Sequence, residues 1–269
     1  MSENNKLNTG ILKDVGFKID AWLDSSLPRG WKKGRAPHFS HKSTYLTLLK
    51  EGINQSVDFL SLIQSIDARI RSNLGSAKRQ PSQENWRDTH NDEVSDKNES
   101  PEVCLERQIV GQQKRKKWAN QVPVASGLLD SDSDKGRHVD LVREIEQGAT
   151  YELIELKWGA DNPFFAALEI LCYGLIYLLF REKFPQPDKP LLQARTIHLR
   201  VLAPEDYYRG KGAKKALATL EFQISEALGK HAVQADLKMD FCFLKIPFSE
   251  IGRVIIEADA DMGMPPAVK

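Results

Sequence analysis

Three ionisable residues interrupt the apolar runs of "VDLVREIEQGATYELIELKW", which spans residues 139–158. Asp140, Glu155 and Lys157 fall within segments whose other residues are typical of two buried strands joined by a Gln-Gly turn. Two neighbouring carboxylates suit a hard divalent cation such as Mg²⁺, which keeps several waters and takes further ligands from substrate phosphates. A lysine beside them can hold an attacking water or offset charge that grows on a phosphate. This set of side chains could therefore support metal-assisted chemistry on a phosphate.

The register of the hairpin decides whether these side chains meet. If Gln147 and Gly148 form the tip, Asp140 lies opposite Glu155, and facing residues of an antiparallel pair point to the same side of the sheet. The same register pairs Val139 with Leu156, Leu141 with Ile154, Val142 with Leu153 and Arg143 with Glu152. One face then carries Val139, Leu141, Ile145, Ile154, Leu156 and Trp158, and the other carries His138, Asp140, Glu155 and Lys157. Opposed carboxylates repel each other unless a cation lies between them or one is protonated.

Shifts in composition divide the chain into three parts. Residues 1–74 are a predicted N-terminal helical region, where apolar residues recur at helical spacing from Leu46 to Ile66, in one long amphipathic helix or two short ones. Residues 75–99 contain almost no aliphatic side chains and are predicted to be a flexible linker or disordered. Residues 100–269 read as helix, three strands, helix, strand, helix and strand, which predicts an α/β domain with short connections.

Composition narrows the class of protein. The three cysteines lie far apart without a C-x-x-C pair, so neither a disulfide framework nor a cysteine zinc site is indicated. The polar N-terminus lacks the profile of a signal peptide, and a cytoplasmic location is expected. The apolar run at residues 164–180 is short for a membrane span and includes Glu169. It is predicted to be a core helix that begins at Pro163, after a cap by Asp161 or Asn162, and no membrane partner is expected.

The hairpin residues resemble a known family. An Asp on one strand, followed on the next strand by Glu-x-Lys, is similar to the core of the PD-(D/E)XK nuclease superfamily, with Asp140, Glu155 and Lys157 in those places. The resemblance implies a restriction-endonuclease-like αβββαβ core. The segments that would form it are "PEVCLERQIVGQQKRKKWA", "VPVASGLL", "RHVDLVREIE", "YELIELKW", the helix from Pro163 and "RTIHLRVLA", with "AKKALATLEFQISEAL" and "MDFCFLKIPF" as an added helix and strand. Val139 stands where the pattern has Pro, which leaves the carboxylate in place.

The resemblance also implies roles for individual residues. Asp140, Glu155 and the carbonyl of Leu156 would hold Mg²⁺, for which Mn²⁺ could substitute, and Lys157 would orient or activate the attacking water. The expected activity is that of a metal-dependent nuclease, and the expected substrate is DNA more than RNA. Members of the superfamily that have lost activity leave a second function open, in which a nuclease-like module with a vestigial metal site binds nucleic acid or a partner protein.

The family often adds a glutamate from the first helix, and the chain offers Glu102 and Glu106. An acid at Glu102, in the first turn, is already explained by the helix dipole. Glu106 lies between the directions of Ile109 and Val110 on a helical wheel, so its carboxylate points into an apolar arc. Metal coordination, direct or through water, would offset the cost of burying it, and Glu106 is therefore the preferred additional ligand.

Other features leave alternatives open. Glu169, Tyr173 and Tyr177 recur every four residues and could face the site or pack locally. Because the net charge is only +1, any affinity for nucleic acid must come from unevenly distributed charge, for which the basic runs at 29–42, 114–117 and 207–215 are candidates. The hairpin acids could instead be a surface patch that Lys157 neutralises. The N-terminal helices could also be the main functional part and bind a partner protein, with the α/β domain as a docking platform. The oligomeric state is left open.

Overall fold

The computed structural model describes residues 3–26, 38–48, 57–75, 80–87, 100–112, 117–129, 132–159, 162–209 and 213–246. Within these residues the helices are α1 (Val15–Ser26), α2 (Lys42–Thr47), α3 (Phe59–Leu74), α4 (Pro101–Gln112), α5 (Asp132–Lys135), α6 (Pro163–Lys183) and α7 (Ala213–Ala232). The strands are β1 (Trp118–Pro123), β2 (His138–Glu146), β3 (Thr150–Leu156), β4 (Thr196–Pro204) and β5 (Lys238–Ile246). The fold class is mixed α/β, as predicted.

The described strands form one five-stranded mixed sheet in the order β1-β2-β3-β4-β5. The first three strands are an antiparallel meander, whereas β4 runs parallel to β3 and β5 runs parallel to β4. Parallel neighbours need a long crossover, and α6 and α7 supply the two crossovers. The buried side chains of α4 cluster against one face of the sheet, and those of α6 and α7 cluster against the other.

The β2–β3 hairpin has the predicted register over its central pairs. Leu141 pairs with Ile154, Val142 with Leu153 and Arg143 with Glu152. Continued to the end of the two strands, this register puts Asp140 across from Glu155. A bulge between Glu144 and Glu146 shifts the pairing at the tip, which leaves Ile145 exposed and makes its predicted place on the apolar face wrong. Val139 also departs from that face, because it packs in the cluster on the α6 side.

The first strand begins earlier in the chain than predicted. Residues 118 and 119 were expected to continue the helix and residues 122–129 to form the strand, but β1 ends at Pro123. The chain turns after Pro123, and Gly127 adopts a φ of +76° that a strand does not allow. The backbone of Ser126 is instead bound by Asn85, whose side-chain amide makes two hydrogen bonds to it, of 2.7 and 2.8 Å.

Helix α6 is the central element of the core. The side chain of Asn162 accepts a hydrogen bond from the amide of Phe165, and Pro163 occupies the first turn, as the sequence predicts. Every residue from Pro163 to Phe180 is buried. In the described part of the chain α6 alone has the length and hydropathy to cross a membrane, but its apolar window is entirely buried inside the protein. This burial confirms its prediction as a core helix.

The N-terminal helices share the core of the sheet. Helix α3 packs on both α6 and α7, and its buried residues belong to the same cluster as those of α6 and β4. The region from Leu46 to Ile66 contains two separate helices, α2 and α3, and residues 49–56 between them lie outside the described residues. The predicted boundary between an N-terminal region and an α/β domain therefore does not separate two hydrophobic cores.

Residues 80–87 also pack against the domain, so their interpretation as a flexible linker is wrong. Trp86 is buried, and its ring meets Tyr177 edge-on at 5.2 Å between centroids. Its amide donates a 2.8 Å hydrogen bond to the carbonyl of Pro123. The buried ring, the hydrogen bonds of Asn85 to Ser126 and those of Lys189 to the carbonyls of Gln83 and Asn85 together anchor this polar segment. Residues 76–79 and 88–99 of the predicted linker lie outside the described residues.

A buried ion pair fixes the segment that precedes α1. Arg137 and Asp134 are bonded at 3.0 Å between Nε and Oδ1, and both are almost inaccessible to solvent. Asp134 accepts the amide of Ile11 at 3.0 Å, and Arg137 donates to the carbonyls of Lys6 and Thr9 at 2.6 and 2.7 Å. Arg137 directly precedes β2, so this clamp ties the N-terminus to the strand that carries Asp140.

We expect Gly10→Ala to loosen the clamp. Gly10 has a φ of +53°, and a Cβ there would lie 2.0 Å from Oδ1 of Asp134. Backbone strain and the clash together should lower the free energy of unfolding by about 3 kcal/mol or more. Gly148 is the matched control, because its φ is +65° and a Cβ would meet nothing within 4 Å. Gly148→Ala should cost about 1–2 kcal/mol, and equal losses in denaturant unfolding would contradict the clamp.

Candidate functional site

The candidate site lies where β2 and β3 meet the first turns of α6. Asp140 is near the start of β2. Glu155 is the second-to-last residue of β3, and Lys157 directly follows β3. Oδ2 of Asp140 accepts a 2.8 Å hydrogen bond from the amide of Leu156, which fixes its carboxylate against the end of β3. The hairpin register thus brings the three predicted residues to one side of the sheet, where α6 covers them.

Lys157 is the centre of the polar contacts. Its Nζ lies 2.8 Å from Oε1 of Glu155 and 2.9 Å from Oε2 of Glu169. The side chains of all three are nearly inaccessible, at 5%, 3% and 1% exposed. The ring centroid of Phe165 lies 6.0 Å from the same ammonium group. A buried ammonium is held by two carboxylates, one from β3 and one from α6.

Glu169 receives a second lysine from the N-terminal region. Nζ of Lys6 donates to Oε1 of Glu169 at 2.8 Å, and the hydroxyl of Tyr173 lies 3.4 Å from the same oxygen. Tyr177 does not take part, because its hydroxyl donates to the carbonyl of Leu191. Of the three acid and tyrosine positions on α6 that could have faced the site, the structure brings Glu169 and Tyr173 to it.

The carboxyl groups of the site differ in acidity. Burial raises the pKa of Asp140 to about 7, with Glu169 and Glu106 adding to the shift and Lys157 opposing it. Burial, Asp140 and Glu169 raise the pKa of Glu155 well above its ordinary value. Burial acts in the same direction on Glu169, but Lys157 and Lys6 outweigh it and lower its pKa to about 2. Glu169 is therefore ionised near neutral pH, while Asp140 and Glu155 together retain a proton.

The Asp140–Glu155 pair fits a divalent cation in one specific respect. Oε2 of Glu155 is buried and has no hydrogen-bond partner among the described residues. A buried, unpaired carboxylate oxygen is unfavourable, and a cation would both satisfy it and replace the retained proton. Across the described ranges, no three His, Cys, Asp or Glu side chains are grouped to hold a metal. Two carboxylates with the Leu156 carbonyl, and otherwise water and phosphate oxygens, would be a set of the kind Mg²⁺ takes.

The two glutamates of α4 have other partners. Glu106 is buried, as predicted from its apolar surroundings, but its oxygens accept hydrogen bonds from the side-chain amides of Asn120 and Gln121. These bonds satisfy the carboxylate without a metal, so burial alone does not make Glu106 a ligand, although its charge still raises the pKa of Asp140. Glu102 accepts a 2.8 Å hydrogen bond from the amide of Trp158 and so fixes the chain just beyond Lys157.

Sequence reasoning missed Lys6 and gave Glu169 little weight. An acid inside an otherwise apolar helix was a signal for Glu169, since such a group needs a buried partner. No local pattern marks Lys6, whose contact with Glu169 spans 163 positions. The basic runs at 29–42, 114–117 and 207–215 are only partly described, with residues 29–37, 114–116 and 210–212 outside.

No family model matches the chain, and neither a curated protein nor a solved structure matches it.

The raised pKa values of Asp140 and Glu155 predict that, in the absence of metal, the stability of the protein falls as the pH rises. The pKa of Asp140 is 3.8 ordinarily and about 7 in the native state, so the native state binds more protons than the unfolded state between these values. The free energy of unfolding should fall across that window and level off above it. Asp140→Asn should remove a change on the order of 4 kcal/mol, whereas the exposed control Glu146→Gln should not. Parallel stability curves for Asp140→Asn and wild type would contradict a retained proton.

Divalent metal should reverse this loss. Because the cation competes with the proton, Mg²⁺ or Mn²⁺ should raise the melting temperature more at about pH 8 than at about pH 5, in the millimolar range. Asp140→Asn should lose the response and Glu146→Gln should keep it. If wild type and Asp140→Asn respond alike, or neither responds, the pair is not a metal site.

Proposed function

We propose that the chain is a Mg²⁺-dependent nuclease that hydrolyses phosphodiester bonds, in DNA more than in RNA. The observation that carries this proposal is the buried group of Asp140, Glu155 and Lys157, in which one carboxylate oxygen of Glu155 has no partner among the described residues. A structural ion pair needs one acid for each lysine. This site has more carboxylate than its lysines neutralise, which favours a role for an added cation.

The arrangement of elements supports the same proposal. Helix α4 is followed by the antiparallel strands β1, β2 and β3, then by α6 and by β4 parallel to β3. Apart from the short helix α5 between β1 and β2, this order is compatible with the αβββαβ core that the resemblance to the PD-(D/E)XK nucleases implies, with α7 and β5 as additions. Asp140 lies on β2, Glu155 lies on β3 and Lys157 directly follows β3, which supports the proposal.

The proposed mechanism divides the work between the side chains. Asp140, Glu155 and the Leu156 carbonyl would hold Mg²⁺, and the ion would supply a lowered pKa for bound water and charge to offset that on the phosphate. Lys157 donates a hydrogen bond to the attacking water and aims its oxygen at phosphorus. Glu169 keeps the ammonium of Lys157 in place. As the water oxygen bonds to phosphorus it gives up a proton to solvent, and as the P–O bond to the leaving oxygen breaks that oxygen takes a proton from solvent.

A binding module with a vestigial metal site is the competing function. The 2.8 Å contact between Nζ of Lys157 and Oε1 of Glu155 favours this function, because the lysine already pairs with a carboxylate that a metal would need as a ligand. The unpartnered Oε2 of Glu155 counts against it, since a vestigial site has no reason to keep a buried carboxylate oxygen without a hydrogen bond among the described residues. The two functions differ in whether the pair takes up metal and whether bound nucleic acid is cut.

Glu155→Gln tests the proposal most directly. We expect wild type to cut linear, circular or single-stranded DNA with Mg²⁺ or Mn²⁺ and not with EDTA, and RNA more slowly. Glu155→Gln should reduce kcat by about 100-fold or more, because it removes a charged ligand while keeping the shape of the side chain. Glu146→Gln, at the far end of the same hairpin, should retain wild-type activity. If Glu155→Gln and wild type cleave equally well, the assignment of Glu155 as a metal ligand is wrong. If wild type binds nucleic acid without metal and does not cleave it, the binding module with a vestigial metal site is favoured.

A further inference from the structure

We propose that Lys6, from the N-terminal region, binds a phosphate of the nucleic acid beside the one that is attacked. This inference rests on the proposed function in so far as the site must receive nucleic acid. Lys6 lies beside the site, since Nζ is 2.8 Å from Oε1 of Glu169 and the charges of Glu155 and Lys157 both act on its pKa. The N-terminal region thereby adds a cation to a site that is otherwise built by the α/β elements.

The backbone that carries Lys6 is held rigidly. Arg137 donates 2.6 and 2.7 Å hydrogen bonds to the carbonyls of Lys6 and Thr9, and a further one of 3.1 Å to the Thr9 hydroxyl. Leu7, in the next position, is fully buried. Because Arg137 precedes β2 and holds the carbonyl of Lys6, the clamp fixes the distance between Lys6 and the strand of Asp140. A lysine on so fixed a backbone is suited to recognise a ligand.

The two lysines on Glu169 differ in exposure. The side chain of Lys157 is 5% exposed, whereas that of Lys6 is 41% exposed. The ammonium group of Lys157 therefore lies inside the site, whereas the side chain of Lys6 lies at the edge of the site and is in contact with solvent. An ammonium group has three donors, and Glu169 is the acceptor for one donor of Lys6 among the described residues. The remaining donors can meet an anion that approaches from solvent.

The charge balance specifies an anion. With a divalent cation on the site, Asp140, Glu155 and Glu169 are balanced by that cation and Lys157. With Lys6 also paired to Glu169, the group as a whole then carries one positive charge in excess of its three carboxylates. A nucleic acid offers one phosphate to the metal and further phosphates at regular spacing along the strand, so a neighbouring phosphate meets this charge.

The salt dependence of binding tests this role, because each phosphate neutralised by a protein cation contributes to the slope of log K against log salt. Fluorescent single-stranded and duplex oligonucleotides would be titrated with wild type, Lys6→Ala, Lys6→Arg and Lys18→Ala. A constant concentration of Ca²⁺ would replace Mg²⁺, so that the oxygen ligands of the site can hold a divalent cation. Gels run in parallel would confirm that the oligonucleotides stay intact. Lys18 is exposed on α1 and is the matched control. Lys6→Ala keeps the clamp, which uses only the backbone of Lys6.

Loss of one phosphate contact should reduce the slope for Lys6→Ala by about 0.7–0.9, with wild-type slopes for Lys6→Arg and Lys18→Ala. A slope for Lys6→Ala that equals that of Lys18→Ala would overturn the inference and leave the nuclease proposal standing. A Lys6-dependent slope in a protein that cuts nothing with Mg²⁺ or Mn²⁺ would keep the inference and overturn the nuclease. Wild type that binds none of the oligonucleotides would overturn both.

Discussion

The ammonium group of Lys157 is buried between the carboxylates of Glu155 and Glu169, and the geometry of the site depends on this contact. A buried ion is tolerated only when its partners are fixed at short range, because its desolvation is otherwise too costly. Glu155 lies near the end of β3, and Glu169 lies in the second turn of the core helix α6. The contact thus requires α6 to lie across the end of β3, and it sets where Asp140 can face a ligand.

The same contact separates the acids into two roles. Glu169 has two lysines and a pKa of about 2, so it remains a fixed negative charge that orients them. Burial raises the pKa values of Asp140 and Glu155, and the positive charge of Lys157 opposes this shift without cancelling it. Groups whose pKa values are pushed apart in one site are typical of functional sites, although structural ion-pair networks can produce the same effect. Oε2 of Glu155 is a buried carboxylate oxygen without a hydrogen-bond partner among the described residues, a feature that Asp67 and Glu152 share within their own ion pairs.

The sequence predicts what local patterns determine. The register of β2 and β3 follows from alternation and from the turn at Gly148, and the start of α6 follows from Asn162 and Pro163. The strand β1 was misplaced because "VPVASGLL" is apolar enough for a strand, while the turn that ends β1 depends on Asn85 binding Ser126. The packing of residues 80–87 includes the contact between the rings of Trp86 and Tyr177. The amino-acid composition of the segment does not predict this contact. The predictions for β1 and for residues 80–87 were wrong because both depend on contacts between segments that are distant in the sequence.

Those distant contacts also change what the candidate site is. A hairpin with two acids and a lysine suggests a site confined to the α/β domain, but Glu169 is shared with Lys6, and Lys6 is held by Arg137. Phe39, from the loop before α2, stacks on Phe165, whose ring in turn faces Lys157. The N-terminal region therefore meets the site both through charge and through packing. The N-terminal region and the α/β elements are joined by a shared hydrophobic core as well as by the Lys6–Glu169 ion pair.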